Sequence, residues 1–408
     1  MNPSTTSQEV PFRFEELFFS RTDEHGVILS GNSVFQRVSG YSWDELIQKP
    51  HKIIRHPDMP RAVFWLLWDT IKKGEPIGAY VKNRAKDGRH YWVFAMVTPI
   101  GGGYLSVRLK PCSALLPVIT QEYQSLRQRE LSEDMAPADS AALLLARLAE
   151  LGYPDYQAFM ADALSKEVAA RDLQLGRRPN GRIDRFGELV TASRSLLEHA
   201  AAVFSAYSKN EYVSLNFQIQ AAQLGTAGAA ISQISKNYDL ISTEIKQSMD
   251  RFVGSAEEVL KTVNNGLFLI CLAQIQEEVL QHFQREAAGG EIVHVEEMPR
   301  LQQQASACQH KAVDGLLTID AQASKFREDC AEMKRLAAAL EVTRIMGKVE
   351  SQRQLIVRQG LVELIEDLES LQSTIALGLK EIDQSNQRVH YDTDHLLAES
   401  KRLLARAS

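Results

Sequence analysis

Apolar residues recur at every seventh position along much of the second half of this 408-residue chain. Sustained heptads predict long helices that bury an apolar seam in a coiled coil or an antiparallel bundle. A single long helix would leave that seam exposed, so pairing within the chain, dimerisation or both must cover it. Proline is scarce there, since only Pro299 of the 13 prolines follows position 180. The three series are Leu189, Leu196, Val203, Asn210, Phe217 and Leu224; Ile231, Tyr238, Ile245, Phe252 and Val259; and Leu361, Leu368, Ile375, Ile382, Val389, Leu396 and Leu403.

The front of the chain mixes two-residue alternation with short helical patterns. The stretch "ELFFSRTDEHGVILSGN" predicts two short strands around a turn at His25 and Gly26. A helix is predicted over 61–73, with Gly74 as its stop, followed by two strands joined at Asp87 and Gly88 and a third strand that ends before Pro111. These elements predict an α+β module, a small antiparallel sheet with helices.

The patterns divide the chain into six segments. A chain of 408 residues exceeds the roughly 100–200 residues of one ordinary core. All four tryptophans lie in the first 112 positions, which places the bulky core at the front. The predicted segments are a flexible N-terminus (1–15), the α+β module (16–112), a helical linker region (113–185), a helical hairpin (186–286) with its tip near 220–230, a loop (287–300) and long C-terminal helices (301–408).

Composition and charge exclude several classes of function. The formal net charge of −6 gives no basic stripe for nucleic acid. The apolar run "GLFLICLA" at 266–273 is far shorter than the roughly 20 residues of a transmembrane helix, and the N-terminus lacks a signal sequence. The four cysteines are scattered without metal-binding spacing. No hydrolytic or phosphate-loop constellation stands out. We therefore expect a soluble cytoplasmic protein that is not an enzyme.

The stretch "IIRHPDMP" at 53–60, directly before a Trp-rich helix, is a candidate binding site. Asp58 suits a helix N-cap, and Pro60 suits the first turn. Arg55 and His56 offer donors that match an anionic group such as phosphate, while Trp68 offers apolar ring surface. The residues alone leave two interpretations open, a structural turn that carries charges and the mouth of a ligand pocket.

The run "VFQRVSGYSWDELIQKPHKIIRHPDMPRAVFWLLWDTIKKGEP", continued by "VKNRAKDGRHYWV", resembles the PAS domain of bacterial aerotaxis receptors, whose sensor holds FAD. The resemblance covers roughly residues 16–112 and implies a PAS fold with an FAD site. It implies that Arg55 and His56 hold the anionic part of the cofactor, that Trp68 packs near the ring system, and that Asn32 or Asn83 bonds to its polar edges. The implied cofactor-binding residues are Asn32, His51, Arg55, His56, Asp58, Trp68 and Asn83.

Two departures from that family leave the ligand open. Ile77 stands where aerotaxis receptors usually carry an aromatic residue, and the loop before the last strand is cut to "IGGGYLS". FAD, another small molecule and an empty domain all remain possible on the residues alone. His51 and His56 could ligate haem iron, but a lone histidine is more often a hydrogen-bonded structural residue, so haem is not predicted.

The stretch "VSLNFQIQAAQLGTAGAAISQISKNY" at 213–238 resembles the hairpin tip of methyl-accepting chemotaxis proteins. In that family the tip docks a histidine kinase and its coupling adaptor, which implies partner-binding roles here for Asn216, Gln220, Gln223 and Thr226. Charged positions of the family are neutral in this chain. Both a working kinase contact and a degenerate hairpin kept for dimerisation therefore stay open.

Together these patterns predict a cytoplasmic signal-transduction sensor. Its PAS domain would sense redox state, oxygen or a small ligand, and a chemoreceptor-like helical bundle would relay the signal to a partner. We expect a homodimer. The alternative is a non-enzymatic interaction scaffold with an empty PAS domain and a degenerate signalling hairpin.

Overall fold

The computed structural model describes residues 8–209, 215, 216, 218, 219, 222, 229–288, 294–353 and 359–407. The chain forms two compact units. The first combines Met1–Asp184 with Asn264–Val313, and the second combines Arg185–Val263 with Asp314–Ser408. The first unit therefore includes sequence from beyond the linker region.

The first unit is built around a five-stranded antiparallel sheet. Its strand order is β2-β1-β5-β4-β3, which confirms the predicted α+β module. Glycine at the predicted turns has positive φ, 78° at Gly26 and 91° at Gly88, a conformation that glycine adopts without strain. The elements are β1 (Phe18–Thr22), β2 (Ile28–Gly31), α1 (Ser33–Ser39), α2 (Trp43–Leu46), a 3₁₀ helix (His51–Ile54), α3 (Arg61–Lys72), β3 (Ile77–Arg84), β4 (His90–Ile100) and β5 (Gly103–Leu109).

Both faces of this sheet are covered, so its interior strands β1 and β5 are buried almost throughout. On the outer face, the hydroxyl of Tyr80 donates to Glu167 at 2.6 Å. Phe19 packs edge-on against Phe283, with ring centroids 4.9 Å apart. The alternate residues point to the opposite, inner face, toward the 3₁₀ helix and α3, because successive strand side chains point to opposite sides. This inner face lines a cavity.

Three helices follow the sheet in the first unit, namely α4 (Leu115–Ser132), α5 (Pro137–Glu150) and α6 (Tyr156–Gln174). Two buried carboxylates of these helices bond to the backbone of the sheet module. Glu167 of α6 accepts from the backbone N–H groups of Cys112 and Ser113 at 2.6 and 3.0 Å. Glu130 of α4 accepts from the backbone N–H of Arg61 at 2.6 Å. The end of β5 and the start of α3 are therefore fixed by side chains of the following helices.

The second unit is a bundle of long helices, which agrees with the heptad pattern. Its helices are α7 (Gly181–Lys209), α8 (Ala229–Ala288), α9 (Glu297–Arg353) and α10 (Gln359–Ala407). All of α10 lies in this unit, whereas α7, α8 and α9 each lie partly in it. The contacts of α7 with α10 run from Arg185–Glu399 to Val203–Gly378, so these helices are antiparallel.

The heptad seam is buried within one chain over the described residues. Phe252 of α8 packs against Phe326 of α9, with ring centroids 4.7 Å apart. The Asn386 amide of α10 donates to the carbonyl of Ala323 in α9 at 2.9 Å. Asn210, Phe217 and Leu224 lie outside the described residues. The buried heptad residues are Leu189, Leu196, Val203, Ile231, Tyr238, Ile245, Phe252, Val259, Leu368, Ile375, Ile382, Val389 and Leu396.

Two further observations bear on the predicted segments. Helix α8 continues to Ala288 and α9 begins at Glu297, so helix occupies both ends of the predicted 287–300 loop, while 289–293 lie outside the described residues. Among the described helices, none is long and apolar enough to cross a bilayer.

Candidate functional site

A cavity of about 280 Å³ lies between the inner face of the sheet and the segment that runs from the 3₁₀ helix into α3. Strands β3, β4 and β5 contribute alternate residues, as their pleat requires. The helical side contributes mainly apolar groups. Residues that line the cavity include His51, Ile54, Arg55, Phe64, Trp68, Val81, Asn83, Val97, Tyr104, Ser106 and Arg108.

Arg108 is the charged centre of the cavity wall, although only 4% of the residue is exposed. Its Nη2 donates to Ser20 Oγ at 2.9 Å and to His51 Nε2 at 2.7 Å, and its Nη1 has no partner. Burial lowers the pKa of Arg108 to about 10, so the guanidinium stays charged at neutral pH. A buried cation without a carboxylate is costly, and among the described ion pairs Arg108 has none.

His51 is held neutral beside that guanidinium. Burial, followed by repulsion from Arg108, lowers the pKa of His51 to about 3. Its Nε2 accepts from Arg108, and its ring stacks on Phe35 with centroids 5.9 Å apart. The backbone N–H of His51 donates to the carbonyl of Gly26 at 2.8 Å. The imidazole therefore orients Arg108 toward the cavity without adding a second positive charge.

Two further polar groups on the sheet wall lack partners. Asn83 is 3% exposed and its Nδ2 is unbonded, and Ser106 is 6% exposed with an unbonded Oγ. Buried polar groups are hydrogen-bonded in the great majority of cases. With Arg108 Nη1, they form a set of unsatisfied donors on one wall. This arrangement suits a ligand that offers acceptors along one edge.

The mouth of the cavity is aromatic. Trp68 meets Tyr104 edge-on with ring centroids 5.6 Å apart, and the guanidinium of Arg55 lies 3.8 Å from the centroid of the Phe64 ring. These four residues also line an outer groove of about 1150 Å³, in which Trp65 is 39% exposed. A ligand could thus extend from the cavity into the groove across flat ring surfaces.

The prediction that Asp58 caps α3 is wrong. Pro60 occupies the N-cap position, and Glu130 of α4 accepts from the N–H groups of Arg61 and Ala62 at 2.6 and 3.2 Å. A carboxylate from outside the helix satisfies the orphan donors that a local cap would have satisfied. Asp58 is exposed and pairs with Lys82 at 2.7 Å instead.

His56 lies beside the cavity, in the wall of a neighbouring cleft. Its Nδ1 accepts the backbone N–H of Asp58 at 3.2 Å, so the proton of the neutral ring is on Nε2, which has no partner. Burial, followed by repulsion from Lys82, lowers the pKa of His56 to about 4. His56 is therefore a neutral, buried donor at neutral pH.

The structure brings His51, Arg55, Trp68 and Asn83 together around the cavity, as the resemblance implies, but it does not bring Asn32 there. The Asn32 side chain accepts from the N–H groups of Phe19 and Phe35 and donates to the carbonyl of Leu17, so both polar atoms of its amide have protein partners. It caps α1 and anchors β1.

Sequence reasoning missed Tyr104, Ser106 and Arg108. All three face the cavity from β5, while the apolar residues between them face the other way. Polar residues at every second position of the otherwise apolar strand "GYLSVRL" were the available signal.

Of the residues that the chemotaxis resemblance singles out, Asn216 is described. It is helical and exposed, beside the exposed apolar residues Leu215 and Ile219. Gln220, Gln223 and Thr226 lie outside the described residues.

Comparison with known proteins agrees with this geometry. The family model for the PAS fold matches residues 28–104, and this part of the chain is a PAS domain. It is of the aerotaxis receptor type, since the aerotaxis receptor of Escherichia coli (strain K12) is 38% identical over 137 residues, 32% of this chain and 27% of that protein.

Two other relatives match this chain over shorter stretches and at lower identity. The nitrogen fixation regulatory protein of Klebsiella pneumoniae is 30% identical over 81 residues, 20% of this chain and 16% of that protein. The biofilm dispersion protein BdlA of Pseudomonas aeruginosa is 27% identical over 118 residues, 28% of each chain. This chain spans less than a third of the length of each relative.

Proposed function

We propose that this chain is a cytoplasmic signal-transduction sensor, without enzymatic activity, whose PAS domain holds a flavin and relays redox state or occupancy to a signalling partner. The observation that carries the proposal is the wall of unsatisfied buried donors formed by Arg108, Asn83 and Ser106. A flavin ring has one edge of nitrogen and carbonyl acceptors and an apolar opposite edge. The apolar helical side of the cavity suits the second edge, and the relationship to the aerotaxis receptor supports the assignment.

FAD is the flavin we propose. The cavity of about 280 Å³ lies at the small end of ligand pockets, which span roughly 300–1,000 Å³. It suits a ring system better than a whole dinucleotide, and the outer groove with Trp65 and Trp68 offers stacking surface for the remainder.

When bound, a flavin supplies reversible electron transfer, and the chain supplies electrostatics and positioning. Arg108 would hold the polar edge of a bound flavin with its free Nη1, and its positive charge would favour the reduced state by stabilising negative charge there. His51 keeps that guanidinium oriented while remaining neutral. Asn83 and Ser106 would bond to the same edge and respond to changes in its hydrogen bonding.

A short route leads from this wall to the helices. Arg108 is on β5, and four and five residues later Cys112 and Ser113 bond to the buried Glu167 of α6. Tyr80 of β3 bonds to the same carboxylate. A shift of β5 would therefore disturb several bonds to one buried charge, which is the kind of bistable element a switch needs. We propose that the helical bundle passes this change to a histidine kinase and adaptor of chemotaxis type, with Asn216 in the contact surface.

The test is the visible absorption spectrum of the purified 408-residue chain and of variants. We expect flavin bands near stoichiometry in the wild type and in the control variant Arg89→Met, which changes a partly exposed arginine of the same domain that does not line the cavity. Arg108→Met should lose the flavin. Asn83→Leu, which is close in volume, should weaken binding about tenfold by removing one buried hydrogen bond.

A folded, colourless protein that fails to bind added FAD, FMN or riboflavin would refute the flavin proposal. It would favour the scaffold alternative. Extraction and chromatography of the bound flavin separate FAD from FMN. The relay is tested separately, by whether the purified protein changes kinase autophosphorylation and whether Asn216→Ala abolishes that change.

A further inference from the structure

An open cleft of about 770 Å³ adjoins the cavity and shares Pro50, Lys52 and Arg55 with it. We call it the basic cleft. It is formed by the segment before α3, by the end of β3 and by helix α4, so three separate parts of the first unit meet there. Its polar lining residues are Tyr41, Lys49, Lys52, Arg55, His56, Arg61, Arg84 and Arg127.

The cleft concentrates positive charge in a chain whose formal net charge is −6. Six of its lining residues are lysine or arginine, and none of the described residues that line it is acidic. The like charges interact, because the pKa of Arg55 is lowered first by burial and then by Arg127. Six cations around one concave surface repel each other, and an anion between them would relieve that repulsion.

The carboxylates beside the cleft neutralise only part of this charge. Glu130 pairs with Arg127 at 2.9 Å, but the same carboxylate also accepts from the N–H groups of Arg61 and Ala62 and from the Ser140 hydroxyl. Asp58, the other acidic residue nearby, is bonded to Lys82. Among the described ion pairs, Arg127 is thus the one cleft cation with a carboxylate partner, and the other five have none.

Two buried donors beside the cleft also lack partners, His56 Nε2 and Arg84 Nε. A phosphate group offers several acceptor oxygens to surrounding N–H groups, and arginine binds it in a bidentate manner. Exposed Lys49 and Lys52 at the rim add point charges that attract such an anion. Donors and charge thus both fit a compact, multiply charged oxyanion.

We propose that the basic cleft binds a small phosphate-class anion with at least two negative charges, of the size of pyrophosphate. Because Arg127 belongs to α4 whereas Arg84 belongs to β3, such an anion links the helix that follows the PAS domain to the sheet. The anion has two possible sources, a separate phosphorylated metabolite and the diphosphate of a nucleotide cofactor. The inference does not rest on flavin binding.

The experiment is isothermal titration of the 408-residue chain with sodium pyrophosphate in phosphate-free, low-salt buffer. We expect saturable binding at one site per chain. The double variant Lys49→Gln/Lys52→Gln keeps every hydrogen bond described above and should weaken binding at least about tenfold. Arg89→Gln is the matched control, because Arg89 is a partly exposed cation of the same domain that lies outside the cleft.

The titration is repeated after loading with FAD and after loading with riboflavin. Loss of pyrophosphate binding with FAD but not with riboflavin supports the proposal and identifies the cofactor diphosphate as the occupant. Equal binding in all forms, including a protein that never takes up flavin, supports it and identifies a separate anion. Absence of saturable binding overturns it, as does an equal loss of affinity in the double variant and in Arg89→Gln.

Discussion

The neutrality of His51 makes the stability of the PAS domain depend on pH in a defined direction. His51 accepts a hydrogen bond from the buried guanidinium of Arg108 and cannot take up a proton while folded without placing two cations side by side. The substitution His51→Gln retains a side-chain oxygen that can accept from Arg108, but it removes the titrating group. Comparison of the wild type with His51→Gln therefore separates the effect of protonation from the effect of packing.

The magnitude follows from the two pKa values. The pKa of His51 falls from 6.5 to about 3 in the folded protein, so the unfolded chain binds a proton below pH 6.5 that the folded chain refuses. The contribution of His51 to stability is thus present above pH 6.5 and is lost as the pH falls from 6.5 toward 3. Linkage gives a loss of about 2 kcal/mol at pH 5 relative to pH 8.

The assay is urea unfolding at pH 8, 7, 6 and 5, followed by tryptophan fluorescence. All four tryptophans lie in the first 92 residues, so the signal reports on the PAS domain. We expect the free energy of unfolding of the wild type to fall by about 2 kcal/mol more than that of His51→Gln between pH 8 and pH 5. His25→Gln, at an exposed histidine of a nearby turn, serves as the control.

Other groups that titrate in this range contribute equally to the wild type and to the variant, so the difference between their pH profiles belongs to His51. Parallel profiles for the wild type and His51→Gln would refute the reasoning, whether they coincide or differ by a constant offset from altered packing. So would a smaller acid loss in His25→Gln than in His51→Gln.

Two glycine pairs test the packing of the two units. Gly26→Ala should lower the free energy of unfolding by about 1 kcal/mol more than Gly74→Ala does, as measured by tryptophan-detected urea unfolding. Both glycines have positive φ, but only at Gly26 would the new Cβ meet a ring, 3.2 Å from Trp68. Gly378→Ala should destabilise the bundle by about 1–3 kcal/mol, measured by circular dichroism, because its Cβ would lie 2.2 Å from a methyl group of Val203. Gly254→Ala, in open space within a helix, should instead stabilise it by up to about 1 kcal/mol. Equal effects within either pair would contradict these contacts.

The sheet and the heptad helices were predictable from the sequence because their signals are local and periodic. Turns at Gly26 and Gly88 need positive φ, and the apolar seam repeats every seven residues over many turns. Which helical segments belong to which unit was not predictable in this way. Phe268 and Phe283 fall within a long helical pattern, and nothing in that pattern says that this part of α8 packs on the outer face of the sheet.

The candidate site was predictable where a motif carried it and missed where tertiary contacts decided it. A family motif pointed to Arg55, Trp68 and Asn83. It is Glu130, however, 72 residues beyond Asp58, that bonds the first N–H groups of α3 in place of Asp58. Local capping preference cannot anticipate a carboxylate delivered by another helix. Arg108 escaped notice because a single arginine in a strand is ordinary until its burial is known.

The bundle also changes what the heptads imply about assembly. Heptads predict that a seam must be buried but do not say by which helices, and here α7 to α10 bury it within one chain. The homodimer therefore stays a prediction that needs another surface. Helix α9 has one, since Val342, Ile345, Met346 and Val349 follow the i, i+3, i+4, i+7 spacing of a single face and are each about half exposed. Polar substitutions on this stripe would change the mass in solution if copies meet there, whereas substitutions on the buried seam would unfold the bundle whether or not it dimerises.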